Sequence, residues 1–166
     1  MKLNFLILSL SALVPLVVGF IWYHPKVMGN AWMAASGMEE DKTKGISLPL
    51  ILFLSYIFSL FLALAIQAFV IHQNHVYSIL INEPGFREPG SEIQNFITLF
   101  MDKYGRNFRT FKHGAFHGTL AGIFFVLPIV ATNALFERKS AKYIAIHTGY
   151  WTICTTLMGG IICQFA

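Results

Sequence analysis

Four of the six histidines fall in two pairs at helical spacing: His72 with His75, three residues apart, and His113 with His117, four apart. Residues four apart on a helix lie about 40° from one another on the same face, so each pair presents two imidazole edges in roughly one direction. Neutral imidazole is a ligand for zinc, copper and haem iron, and the two pairs together offer four nitrogens. The plainer reading of the same residues is interfacial. Histidine has an apolar body and a polar edge and suits the boundary between water and lipid. No cysteine cluster and no H-E-x-x-H motif accompanies the pairs, so the sequence favours no cofactor. His117 stands apart because it lies within an apolar run beside a glycine stripe, a setting suited to a structural hydrogen bond or a proton relay.

A second group of candidates is aromatic and polar: Trp22, Tyr23, His24, Trp32, Asn133, Glu137, His147 and Trp151. Brought together, these side chains would line a polar pocket with aromatic walls. Left apart, they are an interfacial aromatic girdle and a charged helix end. Nothing resembling a G-x-S-x-G elbow, a phosphate-binding glycine loop or a carboxylate pair within an apolar run is present. The apolar runs hold no Asp, Glu, Lys or Arg, which argues against an ion-driven pump, where such groups carry the coupling.

The elements that must position these residues follow from the charge distribution. The 166-residue chain is 55% hydrophobic and only 12% charged, with a mean hydropathy of +0.60, about half the usual charge of a soluble domain. Charge is absent from residues 3–23, 47–71, 114–136 and 143–165. Each stretch reaches the ~20 residues that cross ~30 Å of hydrocarbon. The expectation is an all-α membrane protein, a single domain of four transmembrane helices over residues 1–166. Residues 72–113 form the one sizeable aqueous loop. Within it, Ser91 and Gln94 have capping-box spacing, Ile93, Phe96, Ile97, Phe100 and Tyr104 recur at helical period, and Gly105 can close the segment. This predicts an amphipathic helix over 91–104, lying on the membrane surface or, the favoured placement, covering the bundle mouth as a cap. Pro25 opens and Gly37 ends a further short helix, and Glu39-Glu40-Asp41-Lys42 follows as a solvated turn.

In lipid, helices associate through small residues that let backbones approach. Gly114, Gly118 and Gly122 step every four residues as a glycine zipper, Ser55, Ser59, Ala63 and Gln67 do the same in the second span, and Thr148, Thr152, Thr155, Gly159 and Cys163 share a face of the fourth. Gln67 is expected to hydrogen-bond across a seam, since facing lipid would be costly. Pro15 and Pro128 should kink the first and third spans. Cys154 and Cys163 sit ~13 Å apart along one helix, too far to pair, and read as packing residues. The first apolar run exceeds the ~7–15 residues of a signal core and ends in Trp22-Tyr23 without an A-x-A-like site, so it reads as a retained span. The twelve Lys and Arg residues divide evenly between the two faces, and the positive-inside rule assigns no orientation. They form no basic stripe, which excludes a nucleic-acid partner.

Gly19-Phe20-Ile21-Trp22-Tyr23-His24-Pro25, then Gly29 and Trp32, resembles the signature of a bacterial membrane family known as domain of unknown function 1761. The resemblance continues through His117-Gly118, Asn133-Ala134-Leu135-Phe136-Glu137 and Gly149-Tyr150-Trp151, with Met28 where the family would have Phe. The inserted loop is similar to that of Bacteroidetes members. The resemblance implies a small four-helix protein of the bacterial inner membrane and implies no activity. The leading expectation is a non-enzymatic component of the lipid bilayer, structural or accessory, assembling as a homo-oligomer or with another membrane protein. The alternatives are a small permease or ligand binder built on the aromatic pocket, and a metal-binding enzyme or redox protein built on the four histidines.

Overall fold

The computed structural model describes residues 3–38 and 47–166, so the expected acidic turn at 39–42 lies outside the described residues. The described residues are helical and contain no strand. Three helical stretches are long and apolar enough to cross a membrane: Phe5–Trp22, Leu48–Val70 and Phe111–Phe136. A fourth helix, Ala141–Phe165, has the length at 25 residues but a less apolar composition. Four spans are expected from the charge pattern; three helices meet the length and apolarity of a span.

Both prolines mark interruptions, and in each case the break lies on the N-terminal side of the ring. The first stretch is α1 (Phe5–Ser11) and α2 (Val14–Trp22). Between them the Leu13 amide bonds back to the Leu10 carbonyl, a tightened turn. Pro15 then falls in the first turn of α2, where its missing N–H costs nothing. The short helix α3 (Asn30–Ser36) follows a π turn at Pro25–Gly29. His24 caps that turn, its Nδ1 accepting from the Lys26 amide at 3.2 Å, and Gly37 ends α3 at a φ of 68°, a conformation that suits glycine.

The second stretch is one uninterrupted helix, α4 (Leu48–Val70). Beyond it, where one helix is expected in the loop, there are two: α5 (Gln73–Leu80) and α6 (Glu92–Tyr104). The capping box of α6 is half made. Ser91 Oγ accepts from the Gln94 amide at 3.2 Å, but the Gln94 side chain donates to the Phe86 carbonyl, tying the helix to the preceding turn. The third stretch is α7 (Phe111–Ala121), a π turn at Gly122–Val126 and α8 (Leu127–Phe136). Pro128 sits in the first turn of α8. Its ring would crowd the carbonyl four residues back, and the widened turn ahead of it relieves that contact.

The last helix, α9 (Ala141–Phe165), lies at the centre and buries Ile146, Tyr150, Cys154, Thr155, Met158, Gly159, Ile162 and Cys163 among others. It runs antiparallel to α7: Gly114 faces Gly159 and Cys163, Gly118 faces Thr155 and Thr156, and Gly122 faces Thr152. At each of these glycines a methyl group would overlap atoms of α9, including the Gly159 and Thr155 carbonyls. Thr119 and Thr156 share a hydrogen bond of 2.8 Å beside this contact. α4 contributes the buried stripe Ser59, Ala63, Ile66, Gln67 and Val70, and Leu8 of α1 joins Met158, Ile162 and Cys163 there. Gln67 is 4% exposed, and its Oε1 has no partner, so the hydrogen bond expected across this seam is not made by that atom.

Polar groups fix the ends of α9. Ser140 Oγ accepts from the Tyr143 amide at 3.2 Å. At the other end Arg109 donates from Nε to the Cys163 carbonyl at 2.7 Å and from Nη2 to the Ala166 oxygen, a cation on the negative end of the helix dipole. Gly118→Leu should force α7 off α9 and cost at least ~2 kcal/mol. The check is a fall in thermal unfolding temperature in detergent. Ala145→Leu, on the exposed side of α9, should leave that temperature unchanged.

Candidate metal centre

α4 stops at Val70, and Ile71 turns the chain with φ −109° and ψ 87°. His72 is therefore the residue that leads into α5. That turn brings the His72 imidazole against the start of α7, where His113 and His117 stand one turn apart. His72 Nε2 lies 3.1 Å from His113 Nε2 and 3.3 Å from His117 Nε2, and all three nitrogens fall within 4.8 Å of one another. The rings meet at steep angles, 64–83° between planes, so edges rather than faces converge.

The chemistry of this arrangement can be decided by counting protons. A neutral imidazole has one N–H and one lone pair. His72 Nε2 faces two nitrogens at hydrogen-bond distance but can serve only one of them well, as donor or acceptor. A cation serves all three lone pairs at once. For a metal bound at 2.0–2.1 Å with tetrahedral angles, adjacent ligand nitrogens stand ~3.3–3.4 Å apart, and the two short edges match this spacing to within about 0.3 Å. Partial burial, reinforced by the neighbouring His117 and His75 imidazoles, holds His72 below the ordinary histidine range. The shift favours the neutral form, whose lone pair is the one a metal takes.

His75 does not join the three. It lies a turn further along α5, exposed, with its ring stacked on His72 at 6.4 Å and 28°. Two phenylalanines flank the cluster instead: Phe108 lies against His113 at 5.2 Å and Phe116 meets His117 edge-on at 5.5 Å. Neither is named by a metal-ligand pattern; the signal for Phe108 is its place in the loop just ahead of α7.

At the opposite end of the bundle, the eight aromatic and polar candidates divide. Tyr23 lies 5.1 Å from both Trp32 and Tyr150, ring centre to ring centre, and its hydroxyl is 3.5 Å from His147 Nδ1. Trp151 packs on Tyr150 at 4.9 Å, and Trp22 lies over Gly149. Tyr150, outside the expected set, donates to the Pro15 carbonyl at 2.8 Å and so ties α9 to the broken first helix. His24 is engaged as a cap, and Asn133 and Glu137 are exposed at the end of α8. In place of a polar pocket this end has an aromatic cluster beside an apolar cavity of about 690 Å³, whose walls include Gly19, Phe20, Ser55, Phe58, Tyr150 and Trp151. Lys139 Nζ donates to the Ser36 carbonyl at 2.7 Å, pinning α3 to the same end.

Three helices long and apolar enough to cross a membrane, around a centre packed through small residues, are the features of a helical membrane protein. The family model for protein of unknown function (DUF1761) matches residues 6–163, and the chain belongs to that family. No curated protein and no solved structure matches it. Tyr150→Phe should cost about 1 kcal/mol by removing the bond to the Pro15 carbonyl, measured as a modest drop in unfolding temperature with the helical content unchanged.

Proposed function

We propose that the chain is a four-span protein of the bacterial inner membrane that holds a divalent first-row transition metal, zinc being the best fit, between His72, His113 and His117. The observation that carries the reading is the convergence of three imidazoles from two separate elements, with His72 Nε2 3.1 Å from His113 Nε2 and 3.3 Å from His117 Nε2, close to a tetrahedral ligand spacing. Imidazole-only sites suit zinc, copper, nickel and iron, and the two edges at His72, close to a tetrahedral spacing, favour zinc.

The fourth span in this reading is α9. Its antiparallel register against the third stretch, Gly159 by Gly114 through Thr152 by Gly122, supports it, because a helix aligned along a span shares that span's depth. Its Thr, Gly and Tyr residues face protein rather than lipid, so a lower apolarity is affordable there. The glycine stripe then serves as the helix-packing seam, and the exposed phenylalanines of α4 and α8, Phe53, Phe58, Phe61 and Phe136, face lipid or a partner helix.

Purified protein equilibrated with zinc and then dialysed should retain about one metal per chain by elemental analysis. His72→Ala and His117→Ala should each abolish retention, and His75→Ala should keep it. Absence of stoichiometric metal, or equal damage from His75→Ala, overturns the site. For the topology, single cysteines at Arg87 and Gln164, in a background lacking Cys154 and Cys163, should be labelled from the same side of the membrane. Labelling from opposite sides removes the fourth span.

A further inference from the structure

Three imidazoles leave a tetrahedral ion one ligand short. Structural zinc sites are closed by four protein ligands, whereas sites that act on a small molecule keep one position open. Among the described residues, the group of potential donors close enough to share an ion comprises His72, His113 and His117 alone, and His75 stacks on His72 without entering it. The centre therefore has the ligand count of an open site.

Beside it is a cavity of about 340 Å³ lined by His72, Gln73, Val76, Phe100, Tyr104, Asn107 and Phe108. His72 belongs to both the cluster and the cavity wall, and Phe108, another wall residue, lies against His113. Gln73 Nε2 donates to the Asn107 carbonyl at 2.8 Å and towards the Tyr104 carbonyl at 3.4 Å, tying α5 to the end of α6 along this wall. Most of the lining surface is apolar, supplied by Val76 and the rings of Phe100, Tyr104 and Phe108. Phe108 is held there at a φ of 61°, in the left-handed region that a bulky side chain seldom adopts, so the loop bears backbone strain where its ring meets the cluster. The space is a groove open to solvent on one side, and its volume has room for one or two rings.

Resting on the three-histidine reading, we infer that the fourth coordination position is exchangeable and is filled from the α5–α6 cavity by a small planar molecule. Such a ligand has a single nitrogen, oxygen or thiolate donor and an aromatic body of one or two rings. The donor completes the metal's coordination while the rings lie among Val76, Phe100, Tyr104 and Phe108.

The test uses the full chain in detergent loaded with cobalt(II), whose visible absorption reports its ligands, titrated with imidazole and with 4-phenylimidazole. Both should shift the absorption, with 4-phenylimidazole binding about tenfold tighter through the buried ring. Val76→Trp, which fills the cavity, should keep cobalt stoichiometry but reduce the phenyl advantage to less than about twofold. Phe100→Ala, which removes one wall, should reduce it in the same direction and covers the case in which the larger side chain disturbs folding. Cobalt that binds but responds to neither ligand overturns the open position. Equal affinity for the two ligands, or a phenyl advantage untouched by both variants, overturns the role of the cavity. Failure to take up cobalt at all overturns the three-histidine centre itself, a distinct result.

Discussion

The close contact between α7 and α9 is the constraint on which the rest of the structure depends. Lipid offers helices little hydrophobic reward for meeting, so the association must come from packing at short range. Gly114, Gly118 and Gly122 let the α9 backbone approach where any side chain would collide with it. That contact fixes more than a distance. A helix seated along a four-residue stripe cannot rotate about its axis, and His113 and His117 each precede a seam glycine by one residue, about 100° around the helix. The seam thereby aims both imidazoles away from α9 and towards the end of α4, where His72 waits. A shift of one residue in the seam would turn the pair away from His72 and dissolve the cluster.

The same contact explains why α9 is the least apolar of the long helices. A helix wrapped on several sides by protein need not be greasy; it needs small and shape-matched groups and internal partners for its hydroxyls. Thr155 and Thr156 return their hydroxyls to α9 carbonyls at 2.7–3.1 Å, and the Cys163 thiol approaches the Val70 carbonyl at 3.3 Å. α4, by contrast, exposes Leu, Ile and Phe along most of its length. Apolar composition therefore identifies the helices with exposed apolar faces and underrates the one they surround.

How much of this was legible in the sequence depended on whether a feature was local. The proline-linked breaks, the His24–Pro25 helix start, the Gly37 stop and the Ser91 cap are decided within a few residues, and the structure has each of them. Helix α5 was not legible: Gln73–Leu80 mixes Gln, Asn and His with a few apolar residues, and its place is secured by Gln73 reaching the carbonyls of Tyr104 and Asn107, far along the chain. The His113–His117 pair could be read from its spacing, but the choice of His72 over His75 could not. It depends on the turn at Ile71, which has no sequence signature. Tyr150 was equally opaque as a tether, because its partner is a carbonyl next to a broken helix on another element.

Electrostatics explains why such a cluster belongs at the boundary and not deeper. Three neutral imidazoles bring no negative charge, so a bound dication would keep its full +2, and the close donor group includes no carboxylate among the described residues. Deep in hydrocarbon that charge would carry a desolvation cost of many kcal/mol. At the membrane surface, water and lipid headgroups lower it, and His72 is solvent-exposed just beyond the last turn of α4. An anionic donor in the fourth position would lower it further by neutralising part of the charge. On the proposed metal reading, such a position makes a dication tolerable with three neutral ligands, and a fourth ligand that carries charge would improve it.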